Sequence, residues 1–188
     1  MNRIHDWYCK SERWKRLMVD QVLPDVLDGV DLGGRVLEIG PGPGLVTEAL
    51  LEYGVTDLTT VEIDPGAAER LRGRLGSSVA VHTGSASDLP LAEGSIDVVV
   101  CCTMLHHVPT AAEQDDILSE CRRVLAPGGV LVGSDSKTGL RLRIFHLWDT
   151  HNPVDPTGLE ARLAGAGFDR VVVTEFDKRF LFRATAPA

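Results

Sequence analysis

Nine consecutive residues constrain this chain more than any others: Val36-Leu37-Glu38-Ile39-Gly40-Pro41-Gly42-Pro43-Gly44. An apolar run, interrupted by Glu38, ends in glycine at every second position. The pattern predicts a buried first strand that turns sharply into a helix. Gly40, Gly42 and Gly44 leave that turn without Cβ atoms, so a ligand can press against the backbone. A second apolar run ends at Val61-Glu62-Ile63-Asp64. Open α/β sheets bind ligands outside the carboxyl ends of their strands, which puts Glu62 at the same crevice as the glycine turn. A carboxylate there accepts hydrogen bonds from both hydroxyls of a ribose.

The glycine spacing narrows the choice of ligand. A dinucleotide fingerprint, G-x-G-x-x-G, would need its third glycine where Leu45 stands. A phosphate cradle needs a row of backbone N–H donors, and Pro41 and Pro43 have none. No lysine follows the turn, which excludes a P-loop. The turn therefore suits a close-lying nucleoside ligand without a pyrophosphate. An acidic residue followed by G-x-G-x-G resembles the first motif of the class I S-adenosylmethionine-dependent methyltransferases. The plain alternative, a tight βα turn that binds nothing, is disfavoured by Glu62 at the right distance.

The rest of the composition bounds the partners. A chain of 188 residues fits one domain with a full core. A net charge of −8 offers no general footprint for nucleic-acid phosphates, although local basic patches remain open. No run approaches the length of a membrane span, and no stretch of signal-peptide type opens the chain. Cys9, Cys101, Cys102 and Cys121 show no C-x-x-C spacing and read as reduced thiols in a cytoplasmic protein. Oligomeric state is not legible.

Taken in order, residues 1–34 form a helical segment, with a break expected near Pro24. Trp7, Tyr8 and Trp14 share it with Lys10, Arg13, Lys15 and Arg16, which suits either an aromatic lid over the crevice or an amphipathic helix packed on the sheet. Residues 35–136 read as alternating strands and helices. Asp64-Pro65 predicts a capped helix start, Thr110-x-x-Glu113 predicts a capping box, and Ile96 to Leu105 reads as a strand buried on both faces. Residues 137–154 are an insertion whose Leu140, Ile144, Leu147 and Trp148 fit a helical face. Residues 155–188 give a helix and two strands, joined by a connection so short that they must be antiparallel neighbours.

Further motifs carry the resemblance across residues 35–188. Thr83-Gly84-Ser85-Ala86-Ser87-Asp88-Leu89-Pro90 is similar to the family's Gly-Asp-Ala…Leu-Pro loop, with Ser85 in place of the adenine-binding Asp and Asp88 the nearest carboxylate. Thr103-Met104-Leu105-His106 departs from the Asn/Asp-Pro-Pro-aromatic tetrapeptide of amine and amide methylation. The Leu105-His106-His107-Val108 pattern looks instead like the branch that methylates small molecules, including quinone precursors. Arg123-Val124-Leu125-Ala126-Pro127-Gly128-Gly129 matches the family's turn before strand five.

The resemblance implies a Rossmann-like α/β fold: a seven-stranded, mostly parallel sheet with an antiparallel C-terminal hairpin and helices on both faces. It implies S-adenosylmethionine as cofactor, S-adenosylhomocysteine as product and a small-molecule acceptor. Glu38 would hold the cationic amino-acid end of the cofactor, with Gly40, Gly42 and Gly44 allowing close approach. Glu62 would take the ribose, Ile63 would pack on the adenine, Ser85 and Ala86 would face its edge, and Thr103 would complete the contacts. His106, just past strand four, is the candidate for a base or substrate contact; the alternative is a loop histidine bonded to backbone. No metal site is expected from His106, His107 and His151, because adjacent histidines rarely converge. Competing functions are methylation of protein or RNA, and cofactor binding without catalysis.

Overall fold

The structure, a computed structural model, describes residues 11–137, 139 and 150–188. Trp7, Tyr8, Lys10, Leu140, Ile144, Leu147 and Trp148 lie outside the described residues.

Seven strands form one sheet in the order β3-β2-β1-β4-β5-β7-β6. They are β1 (Arg35–Ile39), β2 (Asp57–Glu62), β3 (Ala80–Thr83), β4 (Ile96–Cys102), β5 (Leu125–Ser136), β6 (Asp169–Glu175) and β7 (Arg179–Thr185). β1 to β5 pair in parallel, and β7 runs antiparallel to both β5 and β6. The order reverses between β1 and β4, the switch point outside which an open α/β sheet forms its ligand crevice. This is the layout that the resemblance implies.

Two cores cover the two faces. On one, α5 (Ala111–Val124) and α6 (Pro156–Gly165) bring Ile117, Leu118, Cys121, Leu159 and Leu163 against Leu37, Ile39, Val99 and Leu131. On the other, α1 (Glu12–Leu17), a π turn over Met18–Val22, α2 (Leu23–Leu27) and α3 (Leu45–Glu52) cover Val36, Val98, Val100 and Val132. Cys101 and Cys102 fall in different cores, as alternation along a strand requires. α4 (Pro65–Leu75) starts where Asp64 accepts from the Ala67 N–H. The Thr110–Glu113 capping box is present in full at the start of α5.

Three expectations need correction. Pro24 does not break the first helical segment: it sits in the first turn of α2, and the wide π turn before it absorbs the N–H that proline lacks. β4 stops at Cys102 rather than Leu105, because Thr103 takes a left-handed backbone (φ 53°) and a 3-10 turn follows over Leu105–His107. β5 takes in most of the Arg123–Gly129 stretch read as the turn before it: it begins at Leu125 and runs to Ser136, with a register shift opposite Ile96 and Val98.

Candidate functional site

The three glycines after β1 have positive φ, but they do different work. At Gly40 a Cβ would run into the Met104 side chain, and at Gly44 into Leu71 and Arg74. At Gly42 (φ 52°) it would meet nothing within 4 Å. Gly42 is thus the position that presents bare backbone to open space, while Gly40 and Gly44 are glycines because protein closes in on them. Arg74, from α4, holds the turn from behind by donating to the Pro43 carbonyl at 2.5 Å and the Glu48 carboxylate at 2.8 Å.

Two buried carboxylates face this turn. Glu62, 7% exposed, accepts from the Gly42 N–H at 3.0 Å through one oxygen and from the Asp64 N–H at 2.9 Å through the other. Each oxygen is oriented by one backbone donor and keeps capacity for another, which suits a vicinal diol. Glu38, 3% exposed, accepts from the Thr47 hydroxyl at 2.6 Å. Burial, and in smaller measure the charge of Glu62, pushes the Glu38 carboxyl up to about 8 against the relief given by Thr47.

The ends of β2 and β3 supply the adjoining surface. Ile63 is 71% exposed, an unusual placement for isoleucine and one that leaves an apolar face beside Glu62. The Gly84 N–H donates to the Glu62 carbonyl, which brings the loop carrying Ser85 and Ala86 alongside. The Ser85 hydroxyl is paired within its own loop, with the Ser87 hydroxyl at 2.7 Å and the Ser87 N–H at 3.2 Å. Asp88 is exposed, and its charge acts on Arg123. Arg123 and Glu120 clamp the far end of this loop through the Leu89 N–H and the Leu89 and Leu91 carbonyls. Thr103 lies half-buried after β4 and donates its N–H to the Ser134 carbonyl at 2.7 Å.

His106 lies in the turn after β4 with its side chain 4% exposed. Its ring Nδ1 lies 2.5 Å from Asp135 Oδ1 near the end of β5, and its backbone N–H donates to Oδ2 of the same carboxylate at 3.0 Å. The ring packs against His107 and, edge-on, against His151. Among the described residues, no group of three or more His, Cys, Asp or Glu side chains is placed to hold a metal ion.

The family described as "Methyltransferase domain" matches residues 37–133, just over half of the chain. The chain belongs to the methyltransferase-domain family. Curated relatives include proteins named ubiquinone biosynthesis O-methyltransferase. That of Aromatoleum aromaticum is 30% identical over 149 residues, covering 75% of this chain and 62% of its own. That of Thiobacillus denitrificans is 33% identical over 134 residues, covering 66% and 55%. This methyltransferase domain therefore spans little more than half the length of those relatives. Solved structures share its fold: an S-adenosylmethionine-dependent methyltransferase of Archaeoglobus fulgidus superposes with a TM-score of 0.77 at 19% identity, over 96% of this chain and 97% of that one. A PigF structure with S-adenosylhomocysteine superposes with a TM-score of 0.68 at 21% identity, over 93% and 58%.

Several residues of this methyltransferase domain escape a reading of its sequence. Asp135 ends an apolar run as Glu38 and Glu62 do, and that signal could have marked it. Thr47, Arg74 and Met104 carry no such signal, since each is defined by what the fold brings beside it.

Proposed function

We propose that this chain is an S-adenosylmethionine-dependent methyltransferase that acts on a small-molecule acceptor. The observation that carries it is a pair of buried carboxylates that feel each other's charge, Glu38 and Glu62, with Glu62 bonded to the N–H of the open backbone at Gly42. The charge of Glu62 repels a pyrophosphate, and Glu38, which ionises beside a cation, matches a ligand that ends in an ammonium group and carries a ribose diol. Ile63 adds an apolar surface of the kind an adenine ring covers. When bound, the cofactor supplies a methyl group already activated by its sulfonium charge.

The chain's own residues then have a positioning task. Glu62 holds the ribose, Glu38 faces the ammonium end, Ile63 packs on the adenine, and the Ser85–Ala86 backbone lines its edge. Gly42 allows the close approach, while Gly40 and Gly44 let Met104 and α4 brace the turn. Thr103 turns the chain over the crevice. A small acceptor is supported by the relatives' names and by the mismatch of Thr103–His106 with an amine-methylating tetrapeptide. The net charge of −8 favours such an acceptor over a nucleic acid. A cytoplasmic setting is supported by the buried, free thiols of Cys101, Cys102 and Cys121; no described helix is long and apolar enough to cross a membrane.

Calorimetry tests the proposal. S-adenosylmethionine and S-adenosylhomocysteine should bind one to one and NAD should not. Binding of NAD with no response to S-adenosylhomocysteine would overturn it.

A further inference from the structure

We infer that the edge strand β6 is an interaction surface for a second copy of this chain. Two β6 edges pair antiparallel about Val173 and join two sheets into one. This pairing is independent of the methyltransferase reading.

The two edges of the sheet are finished differently. β3 and β6 are its outermost strands. At β3 the Gly84 N–H donates inward to the Glu62 carbonyl, so the alternate residues Val81 and Thr83 turn their backbone groups outward. Arg72, from α4, covers that edge. Its Nε donates to the Val81 carbonyl at 3.1 Å and its Nη2 to the Thr83 hydroxyl at 2.8 Å. A charged side chain laid along an edge keeps other strands away.

β6 has no such cover among the described residues. At its hairpin the Phe176 N–H donates to the Arg179 carbonyl at 2.8 Å, and Thr174 and Val172 lie opposite Leu181 and Arg183. Hydrogen-bonded pairs alternate along antiparallel strands, so Val172 and Thr174 bond to β7. Val171, Val173 and Glu175 therefore turn their N–H and C=O groups outward, where no described residue takes them up. The run Val171-Val172-Val173-Thr174 is β-branched throughout and holds neither the lysine nor the proline that blunts an edge. Val171 and Val173 pack on the core beneath α6, while Val172, on the opposite face, is 55% exposed.

A second copy complements this edge. Residues opposite each other in an antiparallel pair share a face of the sheet, so a two-fold pairing must centre on a residue that points its backbone outward. Val173 is the centre that engages the whole run. Val173 then meets its own copy, each exposed Val172 lies against the partner's Thr174, and Val171 lies opposite Glu175. The ends match in charge. The bulge between Asp169 and Val172 gives Arg170 a φ of 49° and leaves Asp169 paired back to Thr185 of β7. In the same register Arg170 falls opposite Phe176, between Glu175 and Asp177 of the other copy. Arg179, which already lies on the Phe176 ring, is neutralised by Asp25. Because β6 runs parallel to β1, the two ligand crevices open on opposite sides of the joined sheet and neither is covered. Two edges of this length make a contact smaller than a standard interface, so the dimer should be reversible, with a Kd on the order of tens of micromolar.

Sedimentation equilibrium from about 5 to 500 µM brackets that value. The wild type should pass from the mass of one chain to twice that mass. Val173→Pro removes an outward N–H and no hydrogen bond to β7, a change an edge strand tolerates. Val172→Lys places two like charges on one face beside the axis. Each variant should stay at the mass of one chain over most of the range, with Kd raised at least about tenfold, and should keep wild-type affinity for S-adenosylhomocysteine. If Val173→Pro fails to fold, Val172→Lys, at an exposed position, decides alone. A wild type that remains at the mass of one chain at the highest concentration would overturn the inference, and so would a dimer that persists unchanged in folded Val172→Lys. Absence of S-adenosylhomocysteine binding in every form would instead remove the proposed function, and the masses would still report on the edge.

Discussion

β1 has a carboxylate at each end, and the two are held in opposite conditions. At its amino end Asp97, the second residue of β4, accepts from the Arg35 N–H, Nε and Nη2 at 2.8 to 2.9 Å. Those hydrogen bonds hold its carboxyl down at about 2. At the carboxyl end Glu38 has a threonine hydroxyl for a partner and the negative Glu62 nearby, and burial pushes it up to about 8. Both contacts involve β1, the first with β4 and the second with α3, and both are polar. One is satisfied within the chain; the other is left wanting a positive charge. A site that binds a cation must be incomplete without it, whereas a contact that only supports the fold has no reason to be.

The sharpest way to break this contrast is Glu62→Ala. It removes the proposed ribose acceptor and leaves the Gly42 and Asp64 N–H groups without their partner. Affinity for S-adenosylhomocysteine should fall by on the order of 2–4 kcal/mol, about 30- to 1,000-fold. Unchanged affinity by calorimetry, in a variant that still folds, would take Glu62 out of the site. The same measurement on Asp97→Asn should show no change.

Glu38 comes next, and its sign is set by the direction of its shift. Its carboxyl is raised from 4.5 to about 8 on folding, so the folded chain keeps a proton that the unfolded chain gives up. Stability of the ligand-free protein should therefore be greatest below pH 4.5 as far as this group is concerned. It should decline as pH rises toward 8, by on the order of 4–5 kcal/mol. Glu38→Gln should flatten that decline in urea titrations while weakening the cofactor. In the wild type at pH 7, an ammonium group arriving beside Glu38 should expel its proton. Calorimetry in buffers of different ionisation enthalpy should register close to one proton released per ligand, and none in Glu38→Gln. No release in the wild type would mean that Glu38 does not meet the ammonium.

Asp97→Asn has a smaller effect of the opposite sense. Asp97 is depressed from 3.8 to about 2, so its contribution is present above pH 4 and lost as pH falls toward 2. The pair is 44% and 40% exposed, so solvent screening reduces the expected loss to about 1 kcal/mol at pH 7. Urea midpoints at pH 7 and pH 2.5 should differ between variant and wild type at the first value and converge toward the second. A deficit as large at pH 2.5 would show that the aspartate acts through packing instead of charge.

The residues at these two ends were not equally legible in the sequence. Glu38 and Glu62 each interrupt or end an apolar run next to glycine or a capping aspartate, so local pattern marks them. The alternation of elements marked the strands and helices, and a short connection marked the antiparallel final pair, while the seven-stranded layout was legible only through the family resemblance. Asp97 and Asp135 are different. Their partners Arg35 and His106 lie 62 and 29 residues away, and only the adjacency of β4 to β1 and β5 brings them together. The end of β4 was missed because Met104 and Leu105 continue its apolar run, while the break comes from the positive φ of Thr103, which side-chain polarity does not encode. The three glycines looked equivalent because a motif records the lack of a Cβ, not the atom that excludes it.

The smallest expected effect concerns what covers the open end. The segment from Met18 to Leu27 packs on the sheet, and Trp14 lies half-buried against that core. It belongs to the part of the molecule that is complete without ligand. Trp7 stands in the N-terminal segment and Trp148 in the 137–154 insertion, which we propose as covers of the pocket, and segments that close over a ligand change the surroundings of their aromatic rings. Titration with S-adenosylhomocysteine should therefore alter tryptophan emission modestly. Trp14→Phe should preserve that change, and Trp7→Phe or Trp148→Phe should reduce it. If calorimetry reaches saturation while wild-type intensity and wavelength stay constant, neither segment closes over the cofactor. If the change disappears in Trp14→Phe alone, it is the packed face of the sheet that responds. The contrast between a finished fold and an unfinished site would then no longer follow the two ends of β1.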